Sequence, residues 1–391
     1  QYAGMEEEAA KNSLLPAILW RNSVDTAKIF CVNGDYLADI SAVGILDAMM
    51  GETYDYDIYP VINAQNLVIA DLPTFVSENE EEMQKRYSQS AQAVYQEIVW
   101  PSLTSIASRT GAKMTCMMTP QFTYTDEEEP DGENVTYYLK RLKEEHAEAG
   151  LSADSMEGIP LSEKIKQDQT FWQTYAPSYR FLSLYADGVK SIGEKSALPA
   201  EIRTVALGSG TSGQAVGYLN ENVTLQPSTS SGIRHTFLDD FKVKCMETAL
   251  GYSNITLDFY SVTYPEGDED SWEKMSKKIA ANLGTYWKAY EAFDATTLTE
   301  SDVRIRRFLA LDYKQQRAGN VITLSLEHRE DAAWFLLRLH GEKVTEVAGG
   351  SFEEIEDGVY LILAEEDEVS VEVQNGETWQ YQDGGKRGDG T

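Results

Sequence analysis

The feature that most constrains this chain is an alternation: short apolar runs end in polar turn residues and give way to stretches whose apolar residues recur at helical spacing. Lys28–Val32 (KIFCV) runs into Asn33-Gly34-Asp35, after which Ile40, Val43, Leu46 and Met50 follow three to four apart. A change from strand to helix periodicity across a turn signal is the pattern of a strand–loop–helix unit. Leu67–Leu72 (LVIADL) is a second such run; Ala91, Val94, Tyr95, Ile98, Val99, Leu103 and Ile106 then mark one face of a long helix, with a bend expected at Pro101. Lys113–Phe122 is the next strand. An acidic loop, Asp126–Glu133, precedes a helix through Leu139 and Leu142, and Phe181–Tyr185, Thr204–Leu207, Val223–Leu225 and Ile255–Tyr260 supply four further strands. Strands alternating with helices predict an α/β fold with a parallel sheet, and seven or so units are enough to close a (β/α) barrel, irregular in places.

The composition changes near Gly319. Val321–Leu326, Ala333–Leu339, Val344–Val347, Val359–Leu363 and Val369–Val373 are short strands punctuated by Gly349-Gly350, Asp357-Gly358 and Asn375-Gly376. That pattern predicts a small β-sandwich appended to the barrel. The expected organisation is therefore an N-terminal extension at 1–26, the barrel at 27–318, the sandwich at 319–376 and a polar, Gly-rich flexible tail at 377–391.

Charge then narrows the partners. The 391 residues carry 64 acidic against 33 basic side chains, a net charge of −31, without a Lys/Arg cluster dense enough to outweigh that field. Nucleic acid and anionic membrane surfaces are therefore poor ligands, whereas cationic partners are allowed. The longest apolar runs, such as Val359–Ala364, fall far short of the roughly 20 residues that span a bilayer. The chain opens at Gln1 with no signal segment, which suggests a processed piece with its targeting region upstream. Cys31, Cys116 and Cys245 lie far apart without CxxC spacing, so buried thiols are expected.

In an α/β barrel the chemistry collects where the strands end, which directs attention to Asn33 and Asp35, Asp187, the glycine-rich 208–213 segment, Pro227–Ser230 and Asp258–Tyr264. Asp35, Asp187, His235 and Asp258 are the candidate catalytic groups; Asn33, Tyr185, Arg234, Asp239 and Tyr264 are candidates for holding substrate. Asp35, placed at the end of the first strand, should lie within about 10 Å of Asp187 and His235. Tyr185 and Tyr264 would wall the cleft and stack on a sugar ring, with Arg234 partly neutralising the carboxylates. His235 has two readings: an acid or base oriented by Asp239 or Asp240, or part of a cap on the helix that begins there. The four histidines, His146, His235, His328 and His340, show no pair at helical spacing, which argues against a metallohydrolase of the usual kind. The 208–213 loop lacks the Lys of a phosphate cradle and reads as a rim loop.

Two segments, VTYPEGDEDSWEKMSKKIAANLGTYW (262–287) and GIRHTFLDDF (232–241), resemble an uncharacterised group of bacterial extracytoplasmic proteins, some of which accompany exopolysaccharide synthesis clusters. Over roughly Ala27–Asp312 the order of segments resembles the polysaccharide deacetylases, a carbohydrate esterase family with a partly irregular (β/α) barrel. That resemblance implies a divalent metal held by one Asp of a TFDD-like motif and two His of an HSxxH motif. Here VNGD (32–35) keeps only its final acid, with Gly34 in place of the catalytic base; Ser152 and Met156 stand for the two histidines, and LQPS (225–228) keeps only Pro227 of RxPY. The expectation is a degenerate site with no metal and no cofactor. The leading functional reading is an extracellular protein, anchored through a segment outside this chain, that binds or scaffolds polysaccharide beside membrane-bound synthesis or export proteins. Its net charge favours a cationic amino-sugar polymer. An active hydrolase or deacetylase with a rearranged site, and a protein-interaction module, are the alternatives.

Overall fold

A computed structural model describes residues 17–375 apart from 26, 126–128, 157–158, 189–191, 193–197, 209–213 and 288–292. The expected flexible tail and most of the expected rim loop lie outside the described residues. The chain divides into two units, one formed by residues up to Thr53 and Ile62–Leu309, the other by Tyr54–Val61 and the segment from Ala310 onward.

The first unit opens with an antiparallel hairpin of β1 (Leu19–Val24) and β2 (Ala27–Val32), in register from Leu19↔Val32 to Val24↔Ala27. This corrects the reading of KIFCV as the first barrel strand. Among the described residues β2 pairs with β1 alone, and Ile29 is about half exposed, whereas a strand inside a parallel sheet is buried on both faces. β3 (Tyr56–Val61) belongs to the second unit.

The barrel starts instead at β4 (Ala64–Ala70), all seven residues of which are buried. There follow β5 (Met114–Met118), β6 (Glu148–Ser152), β7 (Ser183–Ala186), β8 (Thr204–Leu207), β9 (Gly217–Tyr218), β10 (Thr224–Pro227), β11 (Ser230–Ser231), β12 (Tyr252–Asp258) and β13 (Ala295–Thr296). The sheet runs β11-β12-β4-β5-β6-β7-β8-β10-β9, with β13 beside β4. All pairs are parallel except β9 with β10. The sheet curls on itself: β10 and β11 are two residues apart in sequence, and the Ser228 N–H donates to Leu207 O (3.0 Å) while the Thr229 N–H donates to Asn254 O (2.8 Å). One kinked segment thus reaches from β8 to β12.

Period-two alternation sorts the strand residues. Leu67 and Ile69 of β4, with Met114, Cys116 and Met118 of β5, pack outward in the large helix-facing core, where Tyr95, Leu103, Leu142 and Trp272 lie. Val68, Ala70, Met117, Tyr185 and Ala206 fill the inside of the curl together with Leu298. Deeper inside, Asn66 donates to Gln226 Oε1 (2.9 Å), Gln226 donates to Thr204 Oγ1 (2.8 Å) and to Leu298 O (2.9 Å), and Thr296 donates to Asn66 Oδ1 (2.7 Å). These paired polar groups make a plug, because buried amides are tolerated only when satisfied. The long helix carries a wide π-helical turn at Tyr95–Val99, and Pro101 stands at the start of the segment that follows, Trp100–Thr110. Among the described residues no helix is long and apolar enough to cross a membrane.

The second unit has two four-stranded antiparallel sheets, built from β3, β14 (Asp312–Ala318), β15 (Val321–Glu327), β16 (Ala333–Leu339), β17 (Glu342–Ala348), β18 (Gly350–Glu356), β19 (Val359–Ala364) and β20 (Glu368–Asn375). Their orders are β14-β15-β20-β17 and β18-β19-β16-β3. Ile58, Leu324, Phe335, Leu337, Ile362 and Val371, from both sheets, share one core. The compositional break at Gly319 is the β14–β15 turn, where the glycine adopts φ +63°, so the unit begins one strand earlier than its composition suggests.

Candidate functional site

In a curled parallel sheet the residues just past the strands gather at one mouth. Asp71 follows β4, Thr119 follows β5, Ser152 ends β6 with Asp154 two residues on, Asp187 follows β7, Gly208 follows β8 and Asp258 ends β12. Hydrogen bonds string several of these ends together. The Ser152 hydroxyl donates to Asp71 Oδ1 (2.6 Å) and accepts from the Asp154 N–H (3.1 Å), while the Asp187 N–H reaches Asp154 Oδ1 (3.4 Å). Asp71 turns through the left-handed region (φ 59°), which a short carboxylate side chain tolerates. At Gly208 a Cβ would stand 2.8 Å from both Asp187 Oδ1 and the Tyr185 hydroxyl oxygen, so only glycine lets the β8 end approach these two groups.

Asp71, Asp154 and Asp258 are each raised by burial and by neighbouring carboxylates. Burial lifts the Asp71 carboxyl well above the usual range, the Asp154 and Asp258 charges add to the rise, and the Ser152 hydrogen bond and Lys164 oppose it. Asp154 is pushed up to about 7, by burial first and then by the Asp187 and Asp258 charges, against the Asp187 N–H and Lys164. Asp258 is exposed at the rim yet also raised, by the protein around its carboxyl and by Asp187, while the Tyr260 N–H (2.9 Å) and Arg234 pull it down. Tyr185, buried beneath them, is raised well above the ordinary phenol range by burial and by all four carboxylates. Carboxylates this close do not all ionise together at neutral pH, so the mouth offers protonated and ionised carboxyls side by side.

Below the β5 end lies a buried cation. Lys164, on the Leu161–Tyr175 helix and 1 % exposed, donates to Thr119 Oγ1 (3.0 Å), the Tyr124 hydroxyl (2.8 Å) and Asp168 Oδ2 (2.8 Å), and Tyr124 donates to Asp168 Oδ1 (2.7 Å). The same post-β5 loop is held by Glu78, which accepts from the Phe122 (3.0 Å) and Thr123 (2.7 Å) N–H groups. Phe122 meets Tyr260 and Tyr264 edge-on at 5.0 and 5.9 Å, and those two half-buried rings stack at 5.0 Å and 25°. A flat aromatic pair therefore stands two to six residues beyond Asp258.

Of the candidates read from the sequence, Asp187, Asp258 and Tyr185 come together at this mouth, and Tyr264 joins the aromatic pair beside it. Arg234 acts on Asp258 and lies 3.7 Å from Asp270. Asp35 does not hold its expected place: it and Asn33 follow the exposed β1–β2 hairpin, and Asp71 ends the first barrel strand. His235 binds Ser230 Oγ through Nδ1 (2.6 Å); burial lowers its pKa, and the charges opposing that fall are Asp239 and Asp240. Asp239 completes a capping box with Thr236 on the Phe237–Leu250 helix. Asp71, Asp154 and Lys164 were missed as site residues. The available signal for Asp71 was an acid embedded at the end of an apolar run, which needs a reason to be there; Asp154 follows a strand too short and polar to stand out.

Ser152 gives its proton to Asp71, and Met156 is exposed with its sulfur accepting from Thr123 Oγ1 (3.3 Å). Among the described residues no group of three or more His, Cys, Asp or Glu is placed to hold a metal.

Comparison with known proteins gives the following. A family model described as an uncharacterised protein conserved in bacteria (DUF2194) matches residues 7–157. No curated protein matches. Among solved structures, the chain is similar to a Mycobacterium smegmatis protein assigned as a polysaccharide deacetylase (8 % identity, 62 % of this chain and 90 % of that one, TM-score 0.35). It is also similar to a Parabacteroides distasonis protein assigned as a glycoside hydrolase/deacetylase (11 % identity, 71 % and 82 %, TM-score 0.36).

Proposed function

We propose that this chain is a carbohydrate-active protein whose barrel mouth carries out acid–base cleavage of a glycosidic bond in a polysaccharide. The observation that carries this is the cluster of strand-end aspartates at one mouth, where Asp71, Asp154 and Asp258 are raised by burial and by neighbouring carboxylates, Asp187 among them, and Asp154 is pushed up to about 7. Glycoside hydrolysis needs one protonated carboxyl to give its proton to the leaving oxygen and one ionised carboxylate to activate water or attack the sugar. Asp154 suits the donor, because it holds its proton close to neutral pH while remaining within reach of solvent. Asp187 and Asp258, exposed beside it, are the carboxylates available as base or nucleophile. The Tyr260–Tyr264 pair offers a flat apolar surface for a sugar ring, and a second unit read as a small β-sandwich accompanies the barrel. The test is incubation of the chain with neutral hexose and cationic hexosamine polymers, assayed in parallel for new reducing ends and for released acetate. New reducing ends that vanish in Asp154→Asn support cleavage. Acetate release without new ends would make the protein a deacetylase, and binding without either product would return it to the binding-and-scaffolding role.

A further inference from the structure

The mouth's acids are surrounded by other acids, and the cation placed beneath them has no surface to serve. We propose that Lys164 is a positioning residue of this site: its ammonium, fixed at the end of β5 between the strand ends that deliver Asp71 and Asp154, is the internal counter-charge of that pair. The inference rests on the acid–base reading above. The sheet order supplies the geometry. β5 lies between β4, which delivers Asp71, and β6, which delivers Ser152 and Asp154. Lys164 is bound to Thr119, the residue that follows β5, so its charge enters the mouth between those two ends. All three of its N–H groups are used, on Thr119, Tyr124 and Asp168, which leaves the ammonium one position to occupy.

Among the described residues, the groups facing the pair are Asp187 and Tyr185 from β7, Asp258 from β12 and Tyr95 from the outer helix, its hydroxyl 2.7 Å from Thr263 Oγ1. The Asp187 and Asp258 charges favour the protonated form of the pair, whereas the two phenols, both held above their ordinary range, are neutral hydroxyls. Arg234 acts on Asp258. Lys164 is the cation whose charge reaches both Asp71 and Asp154. Asp168, its own i+4 partner, tempers that charge, so the Lys164–Asp168 pair behaves as an adjustable dipole rather than a free cation.

Opposite changes to the two halves of that dipole should move Asp154 in opposite directions. The full chain, labelled with carboxyl-13C aspartate and titrated by NMR, reports this directly, with the Asp154 signal identified by its loss in Asp154→Asn. Lys164→Met should raise the Asp154 midpoint by about one pH unit, Asp168→Asn should lower it, and Lys164→Arg should restore it towards the native value. The alkaline limb of the cleavage pH profile should move with it. An Asp154 midpoint near 7 that neither Asp168→Asn nor Lys164→Met displaces would overturn the role of Lys164 while leaving the acid–base reading standing. A native midpoint in the ordinary carboxylate range would overturn the acid–base reading itself. Should Lys164→Met fail to fold, Asp168→Asn alone decides, because it retains the ammonium and predicts a downward shift that mere loss of packing would not give.

Discussion

Asp154 and Glu247 carry the same electrostatic cost in different places. Burial raises both to about 7, Asp154 at the mouth and Glu247 on the Phe237–Leu250 helix, where it accepts from Gln65 of β4 (3.2 Å). A carboxyl whose folded pKa lies above its unfolded value of about 4 binds its proton more tightly in the folded state. Its contribution is favourable at low pH and is lost as pH rises from about 4 through 7, leaving a penalty above that range. Asp154→Asn and Glu247→Gln should each therefore stabilise the fold by about 1–2 kcal/mol at pH 8 and by little at pH 4, measured as thermal midpoints. Only Asp154→Asn should cost turnover, since Glu247 does not face the mouth. If neither variant gains at alkaline pH, the raised carboxyls are not present in the folded protein. Ser152 belongs to the same scale: one hydroxyl, accepting from the Asp154 N–H and donating to Asp71, aligns two strand ends.

Among the elements, the Ser41–Gly51 and Phe237–Leu250 helices touch at Gly44, where a Cβ would lie 2.4 Å from the Cys245 Cα. Gly44→Ala must push the helices apart and should lower stability by about 1–3 kcal/mol, visible as a reduced urea midpoint with an unchanged slope. A variant as stable as the native chain would mean that the two helices are not in contact. Thr236→Ala removes the capping box that Thr236 and Asp239 form and should cost about 1 kcal/mol of stability, read as a lowered thermal midpoint. Element identity was legible where burial was two-sided: LVIADL and TVAL read as strands and are buried throughout. It failed where a strand earns its place through partners instead of apolarity. EAGLS, YDIYPV, DYKQQRA and GSFEEIE form β6, β3, β14 and β18, and the last two carry charged residues that face solvent. The same limit explains Asp35. KIFCV is apolar enough for a barrel strand, but apolarity does not say which strand it will pair with, and the misplaced first strand took the first catalytic candidate with it. Asp187 and Asp258 are read at strand ends because their strands are legible.

At the scale of the molecule, the second unit depends on a strand delivered from far upstream: β3 pairs with β16 from Trp334↔Val61 to Leu339↔Tyr56 and gives Ile58 to the shared core. A chain ending at Leu309 keeps β3 without that partner, and an unpaired apolar strand edge promotes association. Light scattering should show self-association of that chain, relieved when 54–61 is replaced by a Gly-Ser linker; a monomer in both cases would mean that β3 needs no partner. The net charge of −31 bears on the substrate. Exposed charges are screened over about 8 Å at physiological ionic strength, so a preference for a cationic hexosamine polymer over a neutral one should weaken as salt is added.

The central claim, that chemistry resides in the strand-end aspartates of the barrel, is tested most directly by comparing two acids that the sequence alone does not separate. Initial rates of reducing-end release should be measured for the native chain, Asp35→Asn and Asp154→Asn on the best polymer of the panel between pH 5 and 8. The account predicts that Asp35→Asn, altered in the exposed segment after the β1–β2 hairpin, keeps the native rate and pH profile, while Asp154→Asn falls by about 10²-fold or more. An inactive Asp35→Asn beside an active Asp154→Asn would contradict it, and would move the site from the barrel mouth to the hairpin.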